Sequence, residues 1–254
     1  MQGSLNQYII RISVFLFLIL IVIVFLYPVL QSAFLSNIYI NIIIVFSLFF
    51  GLLFNIYNLS KLSNNYNIIA NFNIHKNPQI FKNSSLLKNF NQHIHDIDGR
   101  YTFKSSVIDK ILENIDMSLL SIRETSRYLV GLLVFLGLLG TFWGLLKTIG
   151  SVGNVIGGLG IDDTNVAGFF NSLKDGLNAP LEGMSIAFSS SLLGLAGSLI
   201  LGYADLNLGQ AQNKFTQFFE RILHNNSSPD FTSHNSSDKS TLIALIAEAF
   251  NFYH

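Results

Sequence analysis

Cysteine is absent from this 254-residue chain, which excludes disulfides, thiolate metal sites and cysteine nucleophiles and leaves the redox compartment unreadable. Charge is scarce as well. Asp, Glu, Lys and Arg make up 12% of the residues, where a soluble domain carries about a quarter. Fifteen basic and fifteen acidic side chains cancel, and the basic ones are spread thinly, so there is no electrostatic footprint for a nucleic-acid partner. What is plentiful is apolar surface: 50% of residues are hydrophobic and the mean hydropathy is +0.46. That composition points to a membrane protein and away from a soluble enzyme. Asn, Ile, Phe, Ser and Lys recur wherever a position is permissive, which reads as a genomic bias carrying little functional information.

Four hydrophobic runs are long enough to cross a bilayer, whose hydrocarbon core of about 30 Å takes some 20 helical residues. The first, 8–30, contains Arg11 as its one charge. It exceeds a signal-peptide core, and no small-x-small cleavage site follows Pro28. The second, 38–57, follows a short uncharged connection and makes a tight hairpin with it; the third and fourth are 128–150 and 181–203. Residues 58–127 hold nine Lys or Arg, whereas 151–180 hold Lys174 against Asp162, Asp163 and Asp175. The positive-inside rule therefore assigns the long loop and both termini to the cytoplasm. The expected organisation is a transmembrane hairpin at 1–57, a cytoplasmic loop with an amphipathic helix at 58–127, a channel-like region at 128–224 and a flexible cytoplasmic tail at 225–254. In fold class this is an all-α membrane protein of four transmembrane helices with helical cytoplasmic extensions.

The spans are of two kinds. Spans one and two are built of large aliphatic and phenyl groups, with Gly51 almost the only small residue, and look made to face lipid. Span three puts Gly137, Thr141, Gly144 and Thr148 on one face, with Gly140 beside them. Span four repeats the device with Gly183, Ala187, Ser190, Ser191, Gly194, Ser198 and Gly202. Helices in a membrane associate through such small residues, because burying Leu away from lipid gains little. Spans three and four are accordingly expected to be the inner pair, with Gly137, Gly140, Gly144, Ala187, Gly194 and Ser198 serving helix packing.

Thr141 lies 13 residues above the cytoplasmic start of span three, and Ser191 lies 12 above the cytoplasmic end of span four. Both heights come to roughly 20 Å, near mid-membrane. Hydroxyls there replace part of an ion's hydration shell, which makes Thr141, Ser191, Ser190 and Thr148 the candidate ion-pathway residues. None of them titrates near neutral pH. Lys147, Glu182 and Asp205 stand at span ends, where they read as interface anchors, so an ion-coupled machine would need a carboxylate from another chain.

The run Gly137-Leu-Leu-Gly-Thr141-Phe-Trp-Gly144 and the run from Pro180 to Leu195, Pro-Leu-Glu-Gly-Met-Ser-Ile-Ala-Phe-Ser-Ser-Ser-Leu-Leu-Gly-Leu, resemble the two signature helices of the MotA/TolQ/ExbB proton-channel family. Ser191 stands at the place of that family's pore Thr. The resemblance covers about 128–219. It implies a bacterial inner-membrane homo-oligomer, typically a pentamer, around a dimeric single-pass partner resembling MotB, TolR or ExbD. That partner brings the membrane Asp, and no cofactor is involved. Four spans with the large loop after the second match MotA, while the wording of the motifs is nearer to ExbB and TolQ. Ile186 stands where ExbB and TolQ carry an acidic residue, which leaves proton or sodium open. The functional expectation is an ion-conducting stator subunit that couples ion-motive force to movement in the cell envelope. The alternative is a non-conducting scaffold that uses the small-residue faces for packing alone.

Outside the spans, Ile108, Leu112, Ile115, Leu119 and Ile122 and again Leu208, Ala211, Phe215, Phe218 and Ile222 recur at helical spacing. These helices are expected to continue the membrane spans and to form a collar when the chain oligomerises. Asn225 begins a polar linker, and 242–250 has helical spacing of its own. His93, His95, Asp96 and Asp98 offer ligand types, but a solvated turn explains them better, since no further cluster accompanies them. Gly153, Gly157, Gly158 and Gly160 lack the Lys-Ser/Thr of a phosphate loop and read as a flexible outer loop. Ser189 to Ser191 form no nucleophile elbow, and every His lies outside the spans, so serine hydrolysis has no base.

Overall fold

The computed structural model describes residues 5–75, 95–97, 100–158, 166–225 and 227–228. They form helices α1 (Asn6–Phe25), α2 (Tyr27–Ser36), α3 (Ile38–His75), α4 (Ser105–Gly158) and α5 (Val166–Asn225). Three short strands, β1 (His95–Ile97), β2 (Arg100–Lys104) and β3 (Ser227–Ser228), add a small sheet with β2 in the middle, antiparallel to β1 and parallel to β3. All the helices except α2 are long and apolar enough to cross a membrane, which marks a multi-pass membrane protein. Two compact units share α3, α4 and α5: one comprises 1–63 and 120–212, the other 64–119 and 213–254.

In the first unit the hydrophobic run 8–30 does not remain one helix. α1 stops at Phe25, Leu26 adopts φ −93° and ψ 11°, and Pro28 sits in the first turn of α2. Proline lacks the N–H that would bond the carbonyl four residues back, but is at home in a first turn, where that donor has no intrahelical partner. The connection expected to be a tight loop is therefore mostly the ten-residue helix α2. Two asparagines close it. Asn37, at φ −145°, accepts the Ile40 N–H at 3.4 Å and so caps α3, while Asn41 Nδ2 donates to the Ala33 and Phe34 carbonyls at 3.1 and 3.0 Å. Those carbonyls belong to the last turn of α2, where no intrahelical donor remains. At the other end, Ser63 donates to Asn6 at 2.8 Å, so α1 and α3 run antiparallel.

The core of this unit is Ile44 of α3, Leu129 and Leu133 of α4 and Leu201 of α5. The expectation that span two faces lipid is thus corrected: one side of α3 is buried against α4 and α5, with Gly51 against Leu201. α1 does face outward, with 6% of its apolar window buried against 44% for α5. The expected outer loop is also corrected. α4 remains helical to Gly158 and α5 is helical from Val166 through Pro180, and Gly176 packs against Val155. Gly160 lies outside the described residues.

In the second unit the apolar stripes are covered by the chain itself. Ile108, Ile115 and Leu119 of α4 and Phe215, Phe219, Ile222 and Leu223 of α5 are buried. Tyr66 of α3 stacks obliquely on Phe218 with centroids 4.4 Å apart, and Thr216 donates to Asp116 at 3.1 Å. These stripes are therefore covered without a second copy, because α3 continues as a helix to His75 and supplies the third wall. The tail beyond 228, including 242–250, lies outside the described residues.

The close contacts make a test. A Cβ on Gly194 would stand 2.6 Å from Gly137 Cα and 2.8 Å from the Leu133 carbonyl, whereas one on Gly153 would meet nothing within 4 Å. Gly194→Val is expected to destabilise the protein by about 1–3 kcal/mol through overpacking. Gly153→Ala is expected to change it by less than about 0.5 kcal/mol, both read by thermal melting in lipid nanodiscs.

Candidate functional site

The two small-residue faces meet within one chain. α4 and α5 run antiparallel in a ladder that brings Gly137 to Gly194, Gly140 to Ser190, Gly144 to Ala187 and Gly183 to Thr148. With no side chain on one partner at each rung, the backbones approach to contact, and every Cα spared a Cβ adds packing that lipid cannot match. Gly137, Gly140, Gly144, Gly183, Ala187 and Gly194 are all buried in this seam, as is Ser198, whose hydroxyl donates to the Leu195 carbonyl at 2.8 Å.

The four hydroxyls expected on an ion path divide into two pairs. Ser190 is fully buried and donates to Asn41 Oδ1 at 3.0 Å, so it ties α5 to α3 and, through Asn41, to the end of α2. Thr148 donates to the Gly144 carbonyl at 3.0 Å and to the Pro180 carbonyl at 3.3 Å, closing α4 on α5. Both hydroxyls are therefore engaged in contacts between helices. Thr141 and Ser191 are different: both are half-buried beside the seam, and Thr141 donates to the Leu138 carbonyl at 2.6 Å. Since Gly140 faces Ser190, the two lie within about one helical turn of the same height, roughly 5 Å.

Around them the surface is apolar. Leu138, Phe142 and Leu145 on α4 and Phe188, Leu192 and Leu195 on α5 are exposed. Toward the α2 end, Lys147 and Glu182 pair at 2.9 Å across α4 and α5. Both are largely solvent-exposed or lipid-exposed in the single chain, so in water this pair would contribute at most about 1 kcal/mol.

Of the ligand-type residues, His93 and Asp98 lie outside the described residues. His95 and Asp96 fall on β1 and so do not form the expected turn. Among the described residues no three His, Asp or Glu side chains gather as a metal site.

A second polar connection was missed by reading the sequence. Ser126 of α4 donates to Asn55 Oδ1 of α3 at 2.8 Å, with both residues fully buried. The signal was present in the sequence: Asn41 and Asn55 are lone amides inside an apolar helix, and a buried amide in a membrane requires a partner on another helix.

Comparison with known proteins returns no matching family model, no similar curated protein and no similar solved structure.

The Asn41–Ser190 bond has a measurable weight. A double-mutant cycle of Asn41→Leu and Ser190→Ala is expected to give a coupling of about 0.6–1.7 kcal/mol, the range of hydrogen bonds between membrane helices. Asn41→Leu alone is expected to cost more, about 1–3 kcal/mol, because it also strips the α2 carbonyls. Equilibrium unfolding in mixed micelles measures both.

Proposed function

We propose that this chain is an ion-conducting stator subunit of a bacterial inner-membrane motor complex. In this reading it resembles the MotA/TolQ/ExbB family, assembles as a homo-oligomer, typically a pentamer, and surrounds a dimeric single-pass partner like MotB, TolR or ExbD. The observation that supports it is the pair of half-buried hydroxyls, Thr141 and Ser191, at one height beside a tightly packed α4/α5 seam, amid exposed apolar residues. An exposed Phe142, Leu192 or Leu195 suits a neighbouring copy, a partner helix or lipid. The partner brings the titrating carboxylate, and Thr141 and Ser191 supply oxygens that exchange for hydration as the ion passes. Both termini and the unit formed by 64–119 and 213–254 lie in the cytoplasm, consistent with the basic residues of 58–127. No catalytic role is assigned to any residue, and no cofactor is needed.

One observation favours the rival reading, a non-conducting membrane scaffold. Ser190 is fully buried against Asn41, Thr148 links α4 to the Pro180 carbonyl of α5, and the glycine faces are consumed by intrachain packing. Fewer groups are then left for an ion path than the stripe of small residues suggested.

Thr141→Val separates the two, since it keeps the volume and removes the hydroxyl. On the conducting reading, ion flux through the purified complex in liposomes falls by about tenfold or more, the equivalent of one hydrogen bond to a charged group, while assembly is unchanged. Unaltered flux, or a purified complex with no companion helix bearing an acid, would count for the scaffold.

A further inference from the structure

Three helices of the first unit each bring one polar side chain to a single level near the end of the bundle remote from α2. Asn55 and Ser126 are there by direct contact, through the 2.8 Å hydrogen bond between α3 and α4. Asp205 of α5 joins them by register. Leu133 packs on Gly197 on one side of the level and Arg123 packs on Gly209 on the other, which sets Asp205 across from Ser126. Gly51 packs on Leu201, and Asn55 and Asp205 each follow four residues later, one turn further along parallel helices.

The layer is sealed but incomplete. Asn55 and Ser126 are fully buried and Asp205 is 9% exposed. Asp205 Oδ1 is shut off from solvent and accepts no hydrogen bond, and Asn55 Nδ2 donates none. Arg123, whose guanidinium lies on Gly209 one turn further along α5, makes no hydrogen bond to Asp205 Oδ1, and its Nε is itself buried without an acceptor. The nearest other charges in sequence on the surrounding elements are Glu124 and Arg127 on α4, both exposed; Lys61 on α3, half-buried; and Arg11 on α1, which is exposed with its guanidinium 5.5 Å from the Tyr8 ring.

A buried carboxylate oxygen without a hydrogen-bond or ion-pair partner is costly, and a layer that retains one has room in its chemistry for a counter-charge. Asp205 Oδ1, the second lone pair of Asn55 Oδ1 and the lone pairs of Ser126 Oγ are three hard oxygens from three helices. One carboxylate balances one charge, which selects a monovalent ion over the divalent cations that gather several carboxylates. A water completing the ion's shell would accept from Asn55 Nδ2. We propose that Asn55, Ser126 and Asp205 form a binding site for a monovalent metal cation of sodium's class. The site rests on this chain's own side chains and stands whether or not the chain conducts ions.

The test uses the full-length protein in nanodiscs of zwitterionic lipid, melted in sodium, lithium or potassium chloride against N-methylglucamine chloride at equal ionic strength. Sodium or lithium at about a hundredfold excess over half-saturation is expected to raise the melting temperature by roughly 5–10 °C. Asp205→Asn should abolish the rise, and Ser126→Ala should increase the half-saturating sodium concentration several-fold. A wild-type protein indifferent to all three metals overturns the proposal, and so does an Asp205→Asn protein with an undiminished rise. Stabilisation by acidification alone, without a metal response, gives Asp205 to a proton and likewise overturns the metal site. Should Asp205→Asn fail to fold, an unchanged sodium half-saturation in Ser126→Ala refutes the assignment.

Discussion

Backbone contact between α4 and α5 is the constraint from which the rest of the membrane bundle follows. At Gly144 a Cβ would fall 2.5 Å from the Ala187 nitrogen, so no side chain larger than hydrogen fits without moving the helix. Helices locked at this distance cannot slide, because a shift by one residue would set Leu or Phe into a gap made for glycine. The register is thus fixed along the whole seam, from Val155 and Gly176 at one end to Arg123 and Gly209 at the other. Every height relation follows from it, including the levels of Thr141 with Ser191 and of Ser126 with Asp205.

Glycine contact sets distance and register but gives little orientation about the helix axes. That task falls to amides and hydroxyls. Asn41 holds the end of α2 and receives Ser190, and Asn55 receives Ser126, so α3 is pinned to α5 near one end of the unit and to α4 near the other. In hydrocarbon an unbonded amide costs several kcal/mol, so each of these contacts disfavours rotations that would leave the group bare. The hydrophobic core between them, Ile44, Leu129, Leu133 and Leu201, adds packing and little direction.

This division explains what could be read from residues alone. The four spans and the two small-residue faces were legible because length, hydropathy and three-four spacing are local properties of the chain. What the faces pack against was not, since a stripe of Gly and Ser looks the same whether it meets its own chain, another copy or a pore. The asparagines are hard to read for a different reason. In a chain where Asn recurs in every loop, Asn37, Asn41 and Asn55 look like background, although each is buried within or at the end of an apolar helix. Asp205 reads as an anchor in the sequence because it follows the last hydrophobic run, while α5 continues as a helix for another twenty residues to Asn225 and keeps it inside the bundle. The break at Leu26 was foreshadowed by Pro28, but nothing local distinguished a loop from the short helix α2.

The seam also bears on how ions could be handled. A path through the middle of one chain would have to part Gly137 from Gly194 and Gly144 from Ala187, and the backbone contacts there leave no space for a hydrated ion. The outside of the α4/α5 pair is different: there Thr141 and Ser191 are half-exposed and no backbone contact fills the space. The exposed Leu138, Phe142, Leu192 and Leu195 are the surfaces a neighbouring copy or a partner helix would cover. On the conducting reading, assembly and conduction are one requirement, because in a single copy these oxygens stand at an open edge and a closed ring or a partner helix is what would enclose them.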